Sequence, residues 1–277
     1  MIAKLPELST ASAWLQAADG LLITAGAGMG IDSGLPDFRG PGGFWKAYPA
    51  LGQARIPFES IANPHAFVRD PRLAWGFYGH RLQLYRHTEP HDGFRILRDI
   101  AACKPRGAWI MTSNVDGQFQ KAGFSTERVC EIHGSIHHLQ CMDNCRGQCW
   151  SASDFVPDID AERCRLLSDL PLCPHCASLA RPNILMFGDG SWEERRTALQ
   201  YRRLMEWLPT VKHLVCVEIG AGTHIPTIRH FSESCGVHLI RINPDEADTP
   251  AHGVGLACGG RAGLAALHAE LSESGND

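Results

Sequence analysis

The chain has 277 residues, 44% of them hydrophobic and 20% charged, with a formal net charge of −4. That length holds one large α/β domain plus a smaller insert, and the composition is that of a globular protein with a sizeable core. The acidic balance, with no lysine/arginine run longer than two residues, leaves no electrostatic case for a nucleic-acid partner, and no apolar run nears the roughly 18 residues of a membrane span.

The first residues, MIAKLPELST, lack a charged segment followed by an apolar one, so the expected location is cytoplasmic. STASAWLQAA at 9–18 predicts a short helix with a Ser/Thr start, closed by Gly20. LLIT is an apolar run fit for a buried strand, and it leads into GAGMGIDSGLPDFRG at 26–40. A strand followed by glycines suits a phosphate-cradling turn. The spacing Gly26-x-Gly28-x-Gly30 departs from G-x-G-x-x-G, however, so the glycines alone do not separate hydride transfer from other dinucleotide chemistry.

Residues 41–90 are rich in aromatics, Pro and Arg and predict helix around PRLAWGFYGHRLQLY. RGAWIMTSN, VKHLVCVEIG and GVHLIRINP are apolar runs ending in small or polar residues, as in parallel strands with functional groups at their carboxyl ends. Between the first two, EERRTALQYRRLMEWL places Tyr201, Leu204, Met205 and Leu208 at helical spacing on one face. The expected fold is α/β: a Rossmann-like parallel sheet domain (1–40, 91–134 and 187–277) with a smaller zinc-binding and helical lobe formed by two insertions, a helical one at 41–90 and a cysteine-bearing one at 135–186.

Of eleven cysteines, five cluster: Cys141, Cys145, Cys149, Cys173 and Cys176. Cys141-x3-Cys145 and Cys173-Pro-His-Cys176 fall within the knuckle spacing of a closed, structural, tetrahedral zinc site, with Cys149 as an alternative second ligand. Cys103, Cys130, Cys216 and Cys235 adjoin apolar segments and read as inert small hydrophobes, as do Cys164 and Cys258.

After the strand-like AWIM come TSNVDGQFQKAG and, after seven further residues, EIHGS. Together with GAGMGIDSGLPDFRG, GGFW at 42–45, the cysteine pairs, RPNILMFGDG and INP, the order and spacing resemble the sirtuins, NAD-dependent protein-lysine deacylases. The resemblance implies a cofactor site of Gly26, Ala27 and Gly28 at the pyrophosphate, Asp37, Phe38 and Arg39 over the nicotinamide riboside, and Trp45 beside them. It implies further that Ser113, Asn114 and Asp116 face the nicotinamide end, and Gly220, Ala221, Gly222 and Asn243 the adenosine half. His133 would be the general base, its ordinary pKa suiting removal of a proton from a ribose hydroxyl. Expected products are free lysine, nicotinamide and O-acyl-ADP-ribose, and the expected partner is an acylated protein or peptide.

Tyr78 and Arg81, three apart, share a helical face, and an arginine grips a carboxylate by two parallel hydrogen bonds. Trp-x-Phe-Tyr-x-x-Arg looks like the segment by which one sirtuin subgroup selects succinyl- and malonyl-lysine, and Ala50 sits where that subgroup has a small residue. Three positions depart from the usual family pattern: Ser113 for Gln, Gly30 for Ser, and GAGTHIP for a Gly-Thr-Ser-type segment. These point to protein ADP-ribosyl transfer or NAD hydrolysis as the alternative activity on the same scaffold.

Overall fold

The computed structural model describes residues 6–36 and 40–274. Its strands in chain order are β1 (Gly20–Ala25), β2 (Ala108–Thr112), β3 (Val129–Glu131), β4 (Gly134–Cys141), β5 (Cys149–Ser151), β6 (Ile159–Asp160), β7 (Arg165–Leu166), β8 (Ala180–Ile184), β9 (Leu214–Ile219), β10 (His238–Ile242) and β11 (Gly253–Leu256). Six of them make one parallel sheet in the order β11-β10-β9-β1-β2-β3. This is the doubly wound arrangement, with the chain reversing its direction of travel between β1 and β9.

Every residue of β1 is buried, which explains why its sequence reads as a continuous apolar run rather than an alternation. Leu21 and Ile23 join a core on one face, with Ile110, Val217 and Ile240. Leu22 joins the other face, with Met111, Cys216 and Leu239. The first face is covered by α1 (Pro6–Ala17), where the expected helix begins three residues earlier than its Ser/Thr signal; short α2 (Gly28–Ile31) follows β1.

The insert at 41–90 is helical throughout most of its length: α3 (Gly40–Ala47), α4 (Pro49–Gln53), α5 (Phe58–Ile61), α6 (Pro64–Arg69) and α7 (Pro71–His87). Asp70 caps α7 by accepting a hydrogen bond from the Leu73 N–H at 3.1 Å. Phe67, Trp75, Phe77 and Tyr78 pack in one core with Leu139, Leu166 and Ile184 from the second insert. The Trp75 indole N–H donates to the Ala180 carbonyl at 2.9 Å, and Gly76 is required because a Cβ there would lie 2.0 Å from the Cys164 carbonyl oxygen. The two inserts therefore share a core distinct from those flanking the parallel sheet.

The remaining helices are α8 (Asp92–Ala102), α9 (Gln118–Lys121), α10 (Arg195–Trp207), α11 (Thr227–Ser234) and α12 (Gly260–Ser274). On α10 the buried face runs through Thr197, Leu204 and Trp207, whereas Tyr201 is 42% exposed. Of the expected stripe, Leu204 is buried and Met205 and Leu208 pack against the same core, while Tyr201 turns to solvent; Trp207 extends the buried face and reaches Trp109 and the Arg106 carbonyl. Of the cysteines read as small hydrophobes, Cys130, Cys164 and Cys216 are buried, Cys235 and Cys258 are half-buried, and Cys103 is exposed at the end of α8.

β4, β5 and β8 form an antiparallel sheet that carries the cysteine knuckles. The sulfurs of Cys141, Cys145, Cys173 and Cys176 all lie within 4.8 Å of one another, with Cys141 to Cys176 at 3.5 Å and Cys145 to Cys173 at 3.6 Å. A tetrahedron of thiolates about 2.3 Å from zinc has edges of about 3.8 Å, so the cluster fits a closed structural zinc site. Cys149, which opens β5, stands outside this group. Replacing Cys176 by Ser is expected to lower zinc content and thermal stability together, while Cys149→Ser leaves both unchanged; metal analysis with thermal unfolding checks this.

At the reversal point two loops cross almost in backbone contact. A Cβ on Gly28 would lie 2.6 Å from Gly220 Cα, one on Gly26 2.7 Å from Ala221 Cα, and one on Gly220 2.4 Å from Gly28 Cα. Gly220 also has φ +62°, a region that disfavours side chains. Gly220→Ala is expected to destabilise the protein by at least about 2 kcal/mol in urea unfolding, since strain and a backbone clash combine.

Candidate active site

The ends of four neighbouring strands converge at this crossing, the crevice where open α/β sheets bind ligands. The Gly26 N–H donates to the Ile219 carbonyl and the Gly28 N–H to the Gly220 carbonyl, both at 3.0 Å. These two glycines are therefore needed to let the loops cross, and their N–H groups are already used within the protein. The glycine requirement expected from close approach of a pyrophosphate thus has a more immediate cause. Between them, Ala27 is exposed, and its N–H has no backbone partner among the described residues. Gly30 sits against Leu35, whose side chain would lie 2.8 Å from a Cβ there, so the space for the serine of the usual pattern is filled by leucine.

From the end of β2, Asn114 reaches across to β1, its amide NH2 donating to the Gly26 carbonyl at 2.9 Å. The Ser113 N–H donates to the Ala25 carbonyl at 3.1 Å. Asp116 is 7% exposed and accepts a hydrogen bond from the Gln118 N–H at 2.9 Å. Burial, opposed by that hydrogen bond and reinforced by the charge of Glu131, raises its carboxyl pKa to about 6. The His137 ring, bonded to the Asp116 carbonyl oxygen at 2.9 Å, braces the same loop.

His133 lies in the turn between β3 and β4. Ile132 before it donates to the Thr112 carbonyl, and the His133 carbonyl accepts from the Leu185 N–H. Gly134 after it has φ +78°, and a Cβ would lie 2.1 Å from the Asn183 carbonyl oxygen, so glycine is required beside the histidine. The imidazole is half-buried, and burial lowers its pKa while the Ser113 backbone beside it partly offsets this. A neutral imidazole carries one N–H and one bare nitrogen whose lone pair can take a proton.

On the β9 and β10 side, the Asn243 NH2 donates to the Ala221 carbonyl at 3.0 Å, and its amide oxygen accepts from Asp245 and Glu246 N–H groups at 3.1 Å. Asn243 is 1% exposed and acts as a clip between the two loops, which sets the position of Gly220, Ala221 and half-buried Gly222. Trp45 is half-buried in the helical lobe, its indole N–H donating to the Ile56 carbonyl at 2.8 Å. Asp37, Phe38 and Arg39 lie outside the described residues.

Arg81 and Tyr78 are both buried on α7. The hydroxyl partner of Arg81 is not Tyr78 but Tyr85, one turn further along the helix, which accepts from Arg81 Nε at 3.0 Å and from an η nitrogen at 2.6 Å. Tyr78 stacks on Phe67 with ring centroids 5.6 Å apart. Tyr85 follows Arg81 at the i+4 spacing that puts side chains together, a signal present in the sequence. Asp189 of the FGDG segment forms a fully buried ion pair with Arg181 at 2.9 Å and accepts from the Ser191 N–H at 3.1 Å. That pair fixes the loop in which Leu185 and Phe187 are each 38% exposed.

The Sir2 family model matches residues 26–219. The chain is 32% identical over 246 residues to NAD-dependent protein deacylase 2 of Pyrobaculum aerophilum, covering 87% of this chain and 86% of that protein. It is 32% identical over 240 residues to the mitochondrial NAD-dependent protein deacylase sirtuin-5 of Danio rerio, covering 80% and 73%. Among solved structures it resembles a Sir2 homologue mutant in complex with ADP-ribose, with a TM-score of 0.73 at 22% identity over 96% of this chain and 97% of that one. A Sir2 homologue in complex with NAD has a TM-score of 0.71 at 23% identity, over 96% and 94%. In fold, in the extent of the family match and in its nearly full-length relatives, the chain belongs to the Sir2 family.

Proposed function

We propose that the chain is an NAD-dependent protein-lysine deacylase, with residues 1–40, 91–134 and 187–277 as its NAD-binding domain and 41–90 and 135–186 as its small domain. The observation that carries the reading is the placement of His133 in the turn after β3, with Asn114 and Asp116 following β2, at the carboxyl ends of paired parallel strands. Relatives named as NAD-dependent deacylases cover most of the chain, which supports the same activity.

Bound NAD would supply an electrophilic ribose carbon with nicotinamide as leaving group. The protein's own part is positional and acid–base. Ala27 offers an open N–H at the crossing, and Gly220, Ala221 and Gly222, held by Asn243, line its other side. Asp116, ionised above about pH 6, provides a carboxylate acceptor for an amide, and Asn114 ties its loop to β1. Trp45 and the Asp37-Phe38-Arg39 segment are assigned to the riboside end on the strength of the family resemblance. His133 takes a proton from a ribose hydroxyl at its free ring nitrogen.

The lone-pair nitrogen must be unprotonated to act, and the pKa of His133 lies below the ordinary value of about 6.5. The acid limb of kcat/KM is therefore expected below about pH 6.5, with activity rising as pH increases through it. His133→Asn should lower kcat by about 100-fold or more, with O-acyl-ADP-ribose followed by mass spectrometry. Free ADP-ribose without acyl product would instead mark hydrolysis, and ADP-ribose on protein would mark transfer.

Arg81 and Tyr78, with half-buried Ala50 nearby in the same lobe, are assigned to a carboxylate-bearing acyl group such as succinyl or malonyl. Arg81→Met is expected to abolish desuccinylation of a peptide while sparing deacetylation. Equal loss of both would sink the carboxylate assignment.

A further inference from the structure

The phenol of Tyr85 is bound tightly to Arg81. Its oxygen accepts two N–H bonds from one guanidinium, at 3.0 and 2.6 Å. A phenol oxygen has one proton to give, and with both N–H groups of Arg81 on its lone pairs that proton must point elsewhere. Among the described residues no acceptor takes it. Tyr85 is 5% exposed, and burial raises its pKa, so the phenol keeps its proton at neutral pH.

The arrangement is built on both sides of the ring. The Gln118 amide NH2 lies 3.3 Å from the Tyr85 backbone carbonyl, which ties this turn of α7 to the loop carrying Asp116. The Arg81 guanidinium carbon sits 5.3 Å from the Phe77 ring centroid and 5.3 Å from that of Tyr85. Aromatic faces thus limit the guanidinium from the sides while the hydroxyl fixes its rotation in plane.

We infer that Tyr85 is a specificity-determining residue for carboxylate-bearing acyl-lysine: it positions Arg81 and donates its own hydroxyl proton to the acyl carboxylate. This rests on the assignment of Arg81 to acyl recognition. A neutral phenol orders the guanidinium without itself adding a carboxylate that would compete with the substrate.

Tyr85→Phe removes the hydroxyl and keeps the ring, so it separates positioning from packing. With purified enzyme and NAD, KM for a succinyl-lysine peptide is expected to rise about tenfold or more, while KM and kcat for the acetyl-lysine peptide stay unchanged. In the Arg81→Met background, Tyr85→Phe should add nothing further to the succinyl KM. An unchanged succinyl KM in Tyr85→Phe, with Arg81→Met still impaired, overturns the role of Tyr85 and leaves that of Arg81 standing. Equal rises in acetyl and succinyl KM also overturn it, because they report a structural defect. If Arg81→Met itself leaves the succinyl KM unchanged, both assignments fail.

Discussion

The site depends on one close approach, the crossing of the Gly26–Gly28 turn with the Gly220–Ala221 loop. Side chains on either strand end would hold the two loops apart, since Cβ atoms there would lie 2.4–2.7 Å from backbone atoms of the other loop. With the loops in contact, the ends of β1, β2, β9 and β10 become one hydrogen-bonded unit: Asn114 to Gly26, Gly28 to Gly220, Gly220 to Ile242, and Asn243 to Ala221. A crevice floor built mostly from backbone is rigid and presents few side-chain atoms to a ligand. The same unit takes in Ser113, whose N–H donates to the Ala25 carbonyl, and the loop that leads from it to Asp116.

The second lobe is organised by a different means. Its helices are short apart from α7, and its strands belong to small sheets, so packing and the cysteine cluster must supply what a continuous sheet supplies elsewhere. Helix α7 is the link between lobe and site. Its N-terminal half packs on Phe67 and Trp75 and is capped by Asp70, and its later turns present Arg81 and Tyr85 toward the Asp116 loop. The residues proposed for acyl selection and those proposed for cofactor binding thus rest on separate cores joined along one helix.

How far the sequence foretells this follows from the physics of each signal. β1, β2, β9 and β10 were readable because strands buried on both faces leave uninterrupted apolar runs. β3, with three residues, and β11, a Gly-Val-Gly-Leu stretch, carry too little hydrophobicity to register, yet they complete the two edges of the sheet. The cysteine pairs were readable because knuckle spacing is local, and the geometry selects Cys145 where spacing left Cys149 open. On α10 the apolar stripe was readable at Leu204, Met205 and Leu208, which meet the core, and departs at Tyr201, which water accommodates, while Trp207 at the helix end joins the buried face. In the site, the glycines were recognisable, but the cause of their need was not, since the loop they meet lies nearly two hundred residues away. The same holds for Asp189, which reads as a loop acid and is the buried partner of Arg181.

What offsets the burial of His133 at Ser113 belongs to the main chain. Every amino acid at position 113 offers that same backbone, so on the proposed deacylase reading the serine there leaves the proton affinity of His133 insulated from a change of side chain. Side-chain variation at position 113 can then drift, or be engineered, without retuning the proton transfer proposed for the neighbouring histidine. On that reading, ligand recognition and acid–base chemistry are inherited through different parts of the same residue.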